Sequence, residues 1–552
     1  MPSLVLGPLL RHVDKVSATI WVEVDGTCRV SVTAADSESA GLGEANTFHI
    51  GGHHYALVFV EGLEPGSVTP YEVRLDDAVV WPLADSSRPP SRIRTPGGPG
   101  AFSVVFGSCR YATPAVVSEE GDEDFPPDAL DTYAATIGGL PQEQWPDALV
   151  LLGDQVYADE TAETTKDYLA SRRDLSKAPH DQLANFEEFT YIYSQSWTDP
   201  EIRWLLSTIP SSMIFDDHDV IDDWNTSAAW RTTITAADWW ADRVAGALGS
   251  YWVYQHIGNL SPDELRADAT FKLITGAPDG YDALREMALE ADRKPDSIRW
   301  SYLRKWHTVR LLMIDSRAAR TLEEGARAML DEKEFSWVEQ MLIDAGKDEI
   351  EHVLVGSSLP WLMPPALHDL EGWNAELVRR FTGRRIGGWS EKLRQGADLE
   401  HWSAFRDSFD RLGAALESLG RGEHGKAPTS LLVLSGDVHH AYVAEVVEPT
   451  GITSRIYQLT CSPVHNEVPH PMVQTFKLGW SKPAIAITAG LRRLAGLPRT
   501  RMRWRKRSGP FFGNELAVLT LEGTRADLRF EKAETGEDRT PKLRTVFAGR
   551  LT

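Results

Sequence analysis

Cysteine is scarce. Cys28, Cys109 and Cys461 are the only three in 552 residues and no CxxC pair occurs, so neither a disulfide framework nor a structural zinc site is expected. No apolar run approaches the ~20 residues that a membrane helix needs. The opening stretch MPSLVLGPLLRHVDKV has no basic region ahead of an apolar one, so no signal peptide is read and a cytoplasmic location is the expectation. Positive charge is in deficit: 57 Lys and Arg against 80 Asp and Glu leave a net −23, which suits passive binding of duplex nucleic acid poorly, so no stable binding of that kind is expected. Acids are missing in turn from one window. Between Val468 and Asn514 there is no Asp or Glu but ten Lys or Arg, crowded toward Arg492–Arg507. The remaining fractions, 42% hydrophobic and 25% charged, exclude collagen-like, coiled-coil and disordered classes.

Residues 1–96 read as a small all-β domain. Runs such as SATIWVEV, CRVSVTA and HYALVFVEGL are rich in β-branched and aromatic residues, with Gly and Pro turns between them. Leu63-Glu64-Pro65-Gly66 has the chemistry of a type II turn, and the Pro/Gly-rich stretch from Ser86 through TPGGPGA reads as a linker. Residues 97–552 then change character. Six strand-length apolar runs end abruptly in polar groups: SVVF before GSCRY, ALVLL before GDQVYAD, SMIF before DDHD, VRLLMI before DSR, HVLV before GSS, and SLLVL before SGDVHH. Between them lie helix signals such as Ser261-Pro262-Asp263-Glu264, so the expected class is an α/β layered fold. Ligand sites in open α/β sheets form at the carboxyl ends of strands, where these polar groups arrive.

The residue types at those ends suit metal chemistry. Asp154 and Tyr157 stand three apart in a turn, and Asp437 and His439 two apart, which on extended backbone points both to one side. Carboxylate, phenolate, imidazole and the Cys109 thiolate are competent ligands, and Asp154 is the candidate to bridge two cations. The run DDHDVIDDW crowds Asp216, Asp217, Asp219, Asp222 and Asp223 around His218, a repulsive set unless cations or arginines lie nearby.

The motifs GSCRY, GDQVYAD, DDHD with a following Trp, IDSR, SGDVHH and CSP, in this order, make the chain resemble the PhoD-type alkaline phosphatases. These are calcineurin-like metallophosphoesterases related to the purple acid phosphatases. The resemblance implies a fibronectin-III-like β-sandwich over 1–96. It implies a four-layer αββα catalytic domain over 97–552, with a basic helical insertion at about 468–514. It implies a cluster of Fe3+ with Ca2+, or other divalent ions such as Zn2+ or Mn2+, held by Cys109, Asp154, Tyr157, Asp217, Asp437 and His439. His218 would protonate the leaving group, and Arg110, with Arg317 as a second candidate, would neutralise a phosphate oxygen. The implied reaction is hydrolysis of a small phosphorylated substrate, a monoester or diester, by a metal-activated hydroxide. The sequence departs from the family pattern at Asp219, where Glu is usual, and at Asp222 and Asp223 in a stretch that usually holds Asn. The twin-arginine export signal of exported members is not seen, so external phosphate scavenging is not expected.

Each signal also has a plainer reading. A lone Cys109 is most often a buried thiol, Tyr157 packing, and Arg317 with Asp315 a structural ion pair. Of His439 and His440, one is expected to be structural. Cys461 reads as packing, Asn466 as a site-rim residue, and the recurring Trp224, Trp230, Trp239, Trp240 and Trp252 as core or pocket wall. The acidic run Glu119, Glu120, Asp122, Glu123 and Asp124 lacks EF-hand spacing and reads as a solvated loop. The basic segment has three readings: arginines paired with the protein's own acidic surface, a lid that steers phosphorylated substrates, or contact of 491–507 with a membrane surface. The competing functional class is a non-catalytic polyanion- or membrane-binding protein on a phosphatase scaffold.

Overall fold

The computed structural model describes residues 1–34, 41–98, 100–112, 126–447, 451–468 and 470–552; the acidic run from Glu119 to Asp124 lies outside them. Two β-sheets form the N-terminal region. One orders its strands Leu4–Val13, Ser17–Val24, His53–Glu61 and Phe48–Ile50, and the other Gly41–Asn46, Arg29–Ala34, Val68–Leu75 and Ala78–Trp81. Alternation along Ser17–Val24 shows why they pair. Ala18, Ile20, Val22 and Val24 enter a core with Val30, Val32, Val73 and Leu75 of the second sheet, while Trp21 turns the other way. Gly66 takes φ +73°, and Ser67 N–H closes the expected turn on Glu64 O at 3.3 Å. The stretch read as a linker is in part a strand: Arg92–Arg94 pairs with Val68–Leu75 because Ile93 between the two arginines is fully buried.

The outward face of the first sheet is not exposed. Leu6, Leu9, Trp21, Tyr55 and Leu57 join the large core of the following region. Arg11, itself buried, donates to Gln255 O (2.8 Å) and Asn259 Oδ1 (3.0 Å), and Glu23 accepts from Tyr254 OH (2.9 Å). Buried charge is tolerated there because each group is met by polar partners.

Two further sheets organise the rest. A six-stranded sheet runs Ser211–Ile214, Ala148–Leu152, Phe102–Gly107, Glu515–Glu522, Arg525–Thr535 and Pro541–Arg550. A seven-stranded sheet runs Tyr302–Trp306, Val309–Ile314, His352–Ser357, Ser430–Ser435, Arg455–Thr460, Ala441–Val446 and Trp504–Phe511. Alternation again assigns the faces. Leu311, Met313, Leu354, Leu432 and Leu434 pack in one core with Val104, Val105, Leu149 and Leu151 of the six-stranded sheet. Leu312, Ile314, Val353, Val355, Leu431 and Val433 pack instead with Phe335, Val338, Phe409 and Leu416 of the helices Glu332–Lys347 and Arg406–Gly420. The inter-sheet contact is close: a Cβ on Gly356 would lie 2.7 Å from Met313 Sδ and 3.3 Å from Leu152 Cδ2. Helix Pro262–Ala267 begins where expected, with Ser261 and Glu264 forming a reciprocal capping box. Trp224, Trp240 and Trp252 are buried and Trp230 and Trp239 pack against the same core. Among the described residues no helix is long and apolar enough to cross a membrane.

His256 sits in this core with its ring 4.9 Å from that of Trp300, and its Nδ1 has no hydrogen-bond partner. Burial, followed by the charges of Arg299 and Arg11, lowers its pKa to about 3. The folded protein therefore keeps His256 neutral while the unfolded chain takes up a proton below about pH 6.5. This residue should cost about 1.4 kcal/mol of stability per pH unit as pH falls from about 6.5 toward about 3. Thermal melts of His256→Phe over an acidic pH series should show a flatter acid limb than the parent; an unchanged slope would contradict the assignment.

Candidate metal centre

Parallel strands from both sheets end on one side of the molecule. Phe102–Gly107, Ala148–Leu152 and Ser211–Ile214 are parallel neighbours, so Cys109, Asp154 and the Asp216–Asp217 pair leave adjacent strand ends. Val309–Ile314, His352–Ser357 and Ser430–Ser435 do the same in the other sheet, bringing Arg317, Ser358 and Asp437. The backbone turns hard at these ends. Cys109, Asp154, Asp437 and His439 have φ of +58°, +50°, +67° and +46°, a region non-glycine residues occupy at a cost and mostly at functional sites. The extended backbone expected for Asp437 and His439 is thus replaced by two left-handed residues. Glycine makes the approach possible: a Cβ on Gly436 would sit 1.8 Å from Ser108 Oγ, and one on Gly153 2.5 Å from Asp216 Cβ.

The predicted ligands meet. The Cys109 thiol lies 3.2 Å from Asp154 Oδ2 and 3.7 Å from Asp437 O, and Ser108 Oγ receives Asp437 N–H at 3.1 Å. Asp154, Asp216 and Asp217, all buried, offer carboxylate oxygens within 4.8 Å of one another. Tyr157 is buried beside Cys109, its ring 4.6 Å from His218, and its hydroxyl receives Asn466 Nδ2 at 3.0 Å. Asn466 thus stands at the site as read from sequence. His439 is part-buried near His218 and Asp437, and desolvation, then the His218 charge, lowers its pKa to about 4. His440 is the structural member of the pair, with Nδ1 2.7 Å from Val438 O and its ring 4.0 Å from Phe476. Cys461 packs in the core.

Asp219 is a brace. Its carboxylate accepts the backbone N–H of Asp154 (2.9 Å), Gln155 (3.1 Å), Val156 (3.3 Å) and Asp216 (2.9 Å), tying together the loops that carry Asp154 and Asp216. His218 Nδ1 is 2.9 Å from Asp159 Oδ1, and its Nε2 lies 4.0 Å from the exposed Asp222. Burial opposes the His218 charge, but the adjacent Asp159 carboxylate outweighs it and holds the imidazolium well above the ordinary His range.

Both arginines proposed from sequence to meet substrate are occupied elsewhere. Arg317 is fully buried and is the arginine that the acidic run required: it bonds Asp216 and Glu400, and reaches Asp217 at 3.2 Å and Asp437 at 3.3 Å. Its donors are spent on protein carboxylates, so it compensates charge inside the fold. Arg110 turns from the cluster to Asp128 (2.7 Å) and to Ser196 O and Oγ (2.9 and 3.0 Å), fastening the loop after its strand. Position next to Cys109 did not fix the direction of its side chain.

Sequence reasoning missed several members. Asp216 belongs to the carboxylate trio, and Asp159 orients His218; both stood in motifs already singled out. Glu400 and His401 had no such signal, because they precede a short helical turn and follow no strand. His401 Nε2 holds Asp437 Oδ2 at 3.0 Å while its Nδ1 rests on Glu371 at 2.9 Å. Burial raises Asp437, yet the His401 hydrogen bond and Arg317 overcome it and keep the carboxylate ionised.

The donor set fits a cation. Burial, then Cys109 and Asp216, push the Asp154 carboxyl well above its ordinary range, and burial followed by Asp437 pushes the Cys109 thiol up to about 12. Asp154 Oδ1, Asp216 Oδ2 and His439 Nδ1 are buried with no hydrogen-bond partner. Buried lone pairs left unmatched are costly, and a multivalent cation satisfies them and reverses the electrostatic penalty on the acids at once. Cys109 and Tyr157 add soft and phenolate donors at one end of the trio.

Comparisons with known proteins bear on the family and the fold. Residues 131–486 match the family model of PhoD-like phosphatases, and residues 1–93 match a domain family of unknown function, DUF7800. A solved structure of PhoD aligns over 99% of this chain and 92% of its own, at 12% identity and a TM-score of 0.56. A purple acid phosphatase from yellow lupin (Lupinus luteus) seeds aligns over 95% of this chain and 71% of its own, at 10% identity and a TM-score of 0.49. No curated protein sequence matches the chain. The PhoD alignment shows a shared fold, and the family model covers the constellation from Asp154 to His439 with Cys109 just ahead of it. The chain belongs to the PhoD-like phosphatase family.

Proposed function

We propose that the protein is a metal-dependent hydrolase of phosphate esters whose cations are held by Cys109, Asp154, Tyr157, Asp216, Asp217, Asp437 and His439. The observation that carries this reading is the buried trio Asp154, Asp216 and Asp217, with two carboxylate oxygens unpartnered and Arg317 beside it. Fe3+ suits the thiolate and phenolate end and Ca2+ the carboxylates, with Zn2+ or Mn2+ as substitutes. Cations held there supply Lewis-acid polarisation of phosphate oxygens and a water acidic enough to attack near neutral pH.

The chain's own residues do the rest. His218, oriented through Nδ1 by Asp159, holds a proton at Nε2 where a leaving alkoxide can take it. Arg317 and His401 keep Asp437 ionised and fixed. Asp219 sets the separation of the two ligand loops. We read residues 1–96 as a fibronectin-III-like sandwich and 97–552 as a four-layer αββα catalytic domain. Two sheets with a common core and helices against the outer face of one support the latter. A small phosphorylated substrate, monoester or diester, and a cytoplasmic location complete the reading. The intact ligand set weighs against a scaffold retired to polyanion binding.

Elemental analysis of the purified protein, paired with chromogenic phosphate mono- and diesters before and after chelation, tests this. Asp154→Ala should lose both bound metal and turnover while keeping its circular dichroism; full turnover in that variant would overturn the proposal. His218→Gln should retain metal and lower kcat by about a hundredfold or more, since a positioned general acid contributes on that order. Loss of metal in His218→Gln, or an unchanged kcat, would remove His218 from the proton-donor role.

A further inference from the structure

One surface plays no part in the proposed reaction. It surrounds helix Pro365–Arg380, which packs against helix Arg385–Gln395 and against helix Lys482–Leu494. The latter has no charged residue from Pro483 to Leu491, yet only Arg492 along it is buried. Arg492 bonds Asp369 of the packed helix at 3.1 Å and marks the inner side. The opposite stripe carries Ile487 and Leu494, seven residues apart and 66% and 83% exposed. Helix Arg385–Gln395 likewise presents Ile386 and Trp389, 52% and 59% exposed. Two helices that both pack on a third thus each expose a pair of large apolar side chains.

The cations divide in a telling way. Arg501 pairs with Glu417, and Arg505 and Arg507 with Glu445, so the protein's own acids account for these and for Arg492. Lys482, Arg493 and Arg499, which bracket the exposed stripe, make no salt bridge among the described residues. Neither do Arg384, Arg385 and Lys392 beside Ile386 and Trp389. On a chain of net charge −23, six cations that make no salt bridge among the described residues stand beside these exposed apolar groups.

We propose that this face docks on a bilayer surface that contains anionic lipids. Ile386, Trp389, Ile487 and Leu494 enter the headgroup boundary, and the six cations without a salt bridge meet lipid phosphates. Charge complementarity selects this occupant. A second copy on a two-fold axis would set the same cations against themselves. The association is peripheral, since no helix among the described residues can span the membrane.

Vesicle flotation tests the proposal with the full-length protein. It should float with vesicles of phosphatidylcholine mixed with phosphatidylglycerol, remain behind with phosphatidylcholine alone, and be released by salt. Arg493→Gln should lower the partition coefficient about fivefold, the loss expected for one cation at such a surface. Ile487→Asp should lower it by about tenfold or more. Both positions are exposed, so circular dichroism and melting temperature should match the parent; should Ile487→Asp fail to fold, Trp389→Ser tests the same face. No flotation with the mixed vesicles, or flotation indifferent to both substitutions, would overturn the proposal. So would release by inorganic phosphate alone at matched ionic strength, which would mark a simple anion site. A dimer dissolved by Ile487→Asp, without vesicle binding, would assign the face to a second copy instead.

Discussion

Uncompensated negative charge inside the protein is the constraint that arranges the region of the two larger sheets. Asp154, Asp216, Asp217 and Glu400 are buried side by side, with Asp437 against them, and carboxylates this close cannot all ionise without cations among them. Arg317 provides one positive charge at the centre, and Arg320 supports Glu400 at 3.0 Å. His401, backed by Glu371, steadies Asp437 from the other side. Even so, oxygens of Asp154 and Asp216 remain unmatched. The protein is built around a deficit that protein groups only partly offset, and that residue of charge is what a metal centre requires.

The same constraint explains the backbone. Side chains from neighbouring parallel strands can converge only if each chain turns sharply on leaving its sheet, and Cys109, Asp154, Asp437 and His439 take strained left-handed backbone to do so. The strain is held by Asp219, which satisfies N–H groups of both acidic loops, and by the close passage of Gly153 and Gly436. Local cost and global fit are linked: the turns are tolerable because the rest of the structure fixes them.

Much of this was legible in the sequence, and the exceptions share a cause. Buried parallel strands read as unbroken apolar runs, so SVVF, ALVLL, SMIF and SLLVL announced both their strands and the residues at their ends. Convergence of those ends followed from α/β topology. What periodicity cannot give is side-chain direction in the turn that follows a strand, which is why Arg110 faces Asp128 and Arg317 faces inward rather than toward a substrate. Nor can it give partners contributed by irregular segments: Glu400 and His401 arrive from a loop whose only mark is its contact with distant helices. The strand Arg92–Arg94 hid in a Pro- and Gly-rich stretch because three residues carry too little pattern.

The centre straddles two sheets, with Cys109, Asp154 and Asp217 hung from one and Arg317, Asp437 and His439 from the other. Any glide of one sheet along the other, such as a bulkier residue at Gly356 would force against Met313 and Leu152, shifts both halves of the donor set out of register. Mutations deep in the shared interior would therefore detune the proposed centre well before they melt the protein, and would pass for lesions of a site they never touch.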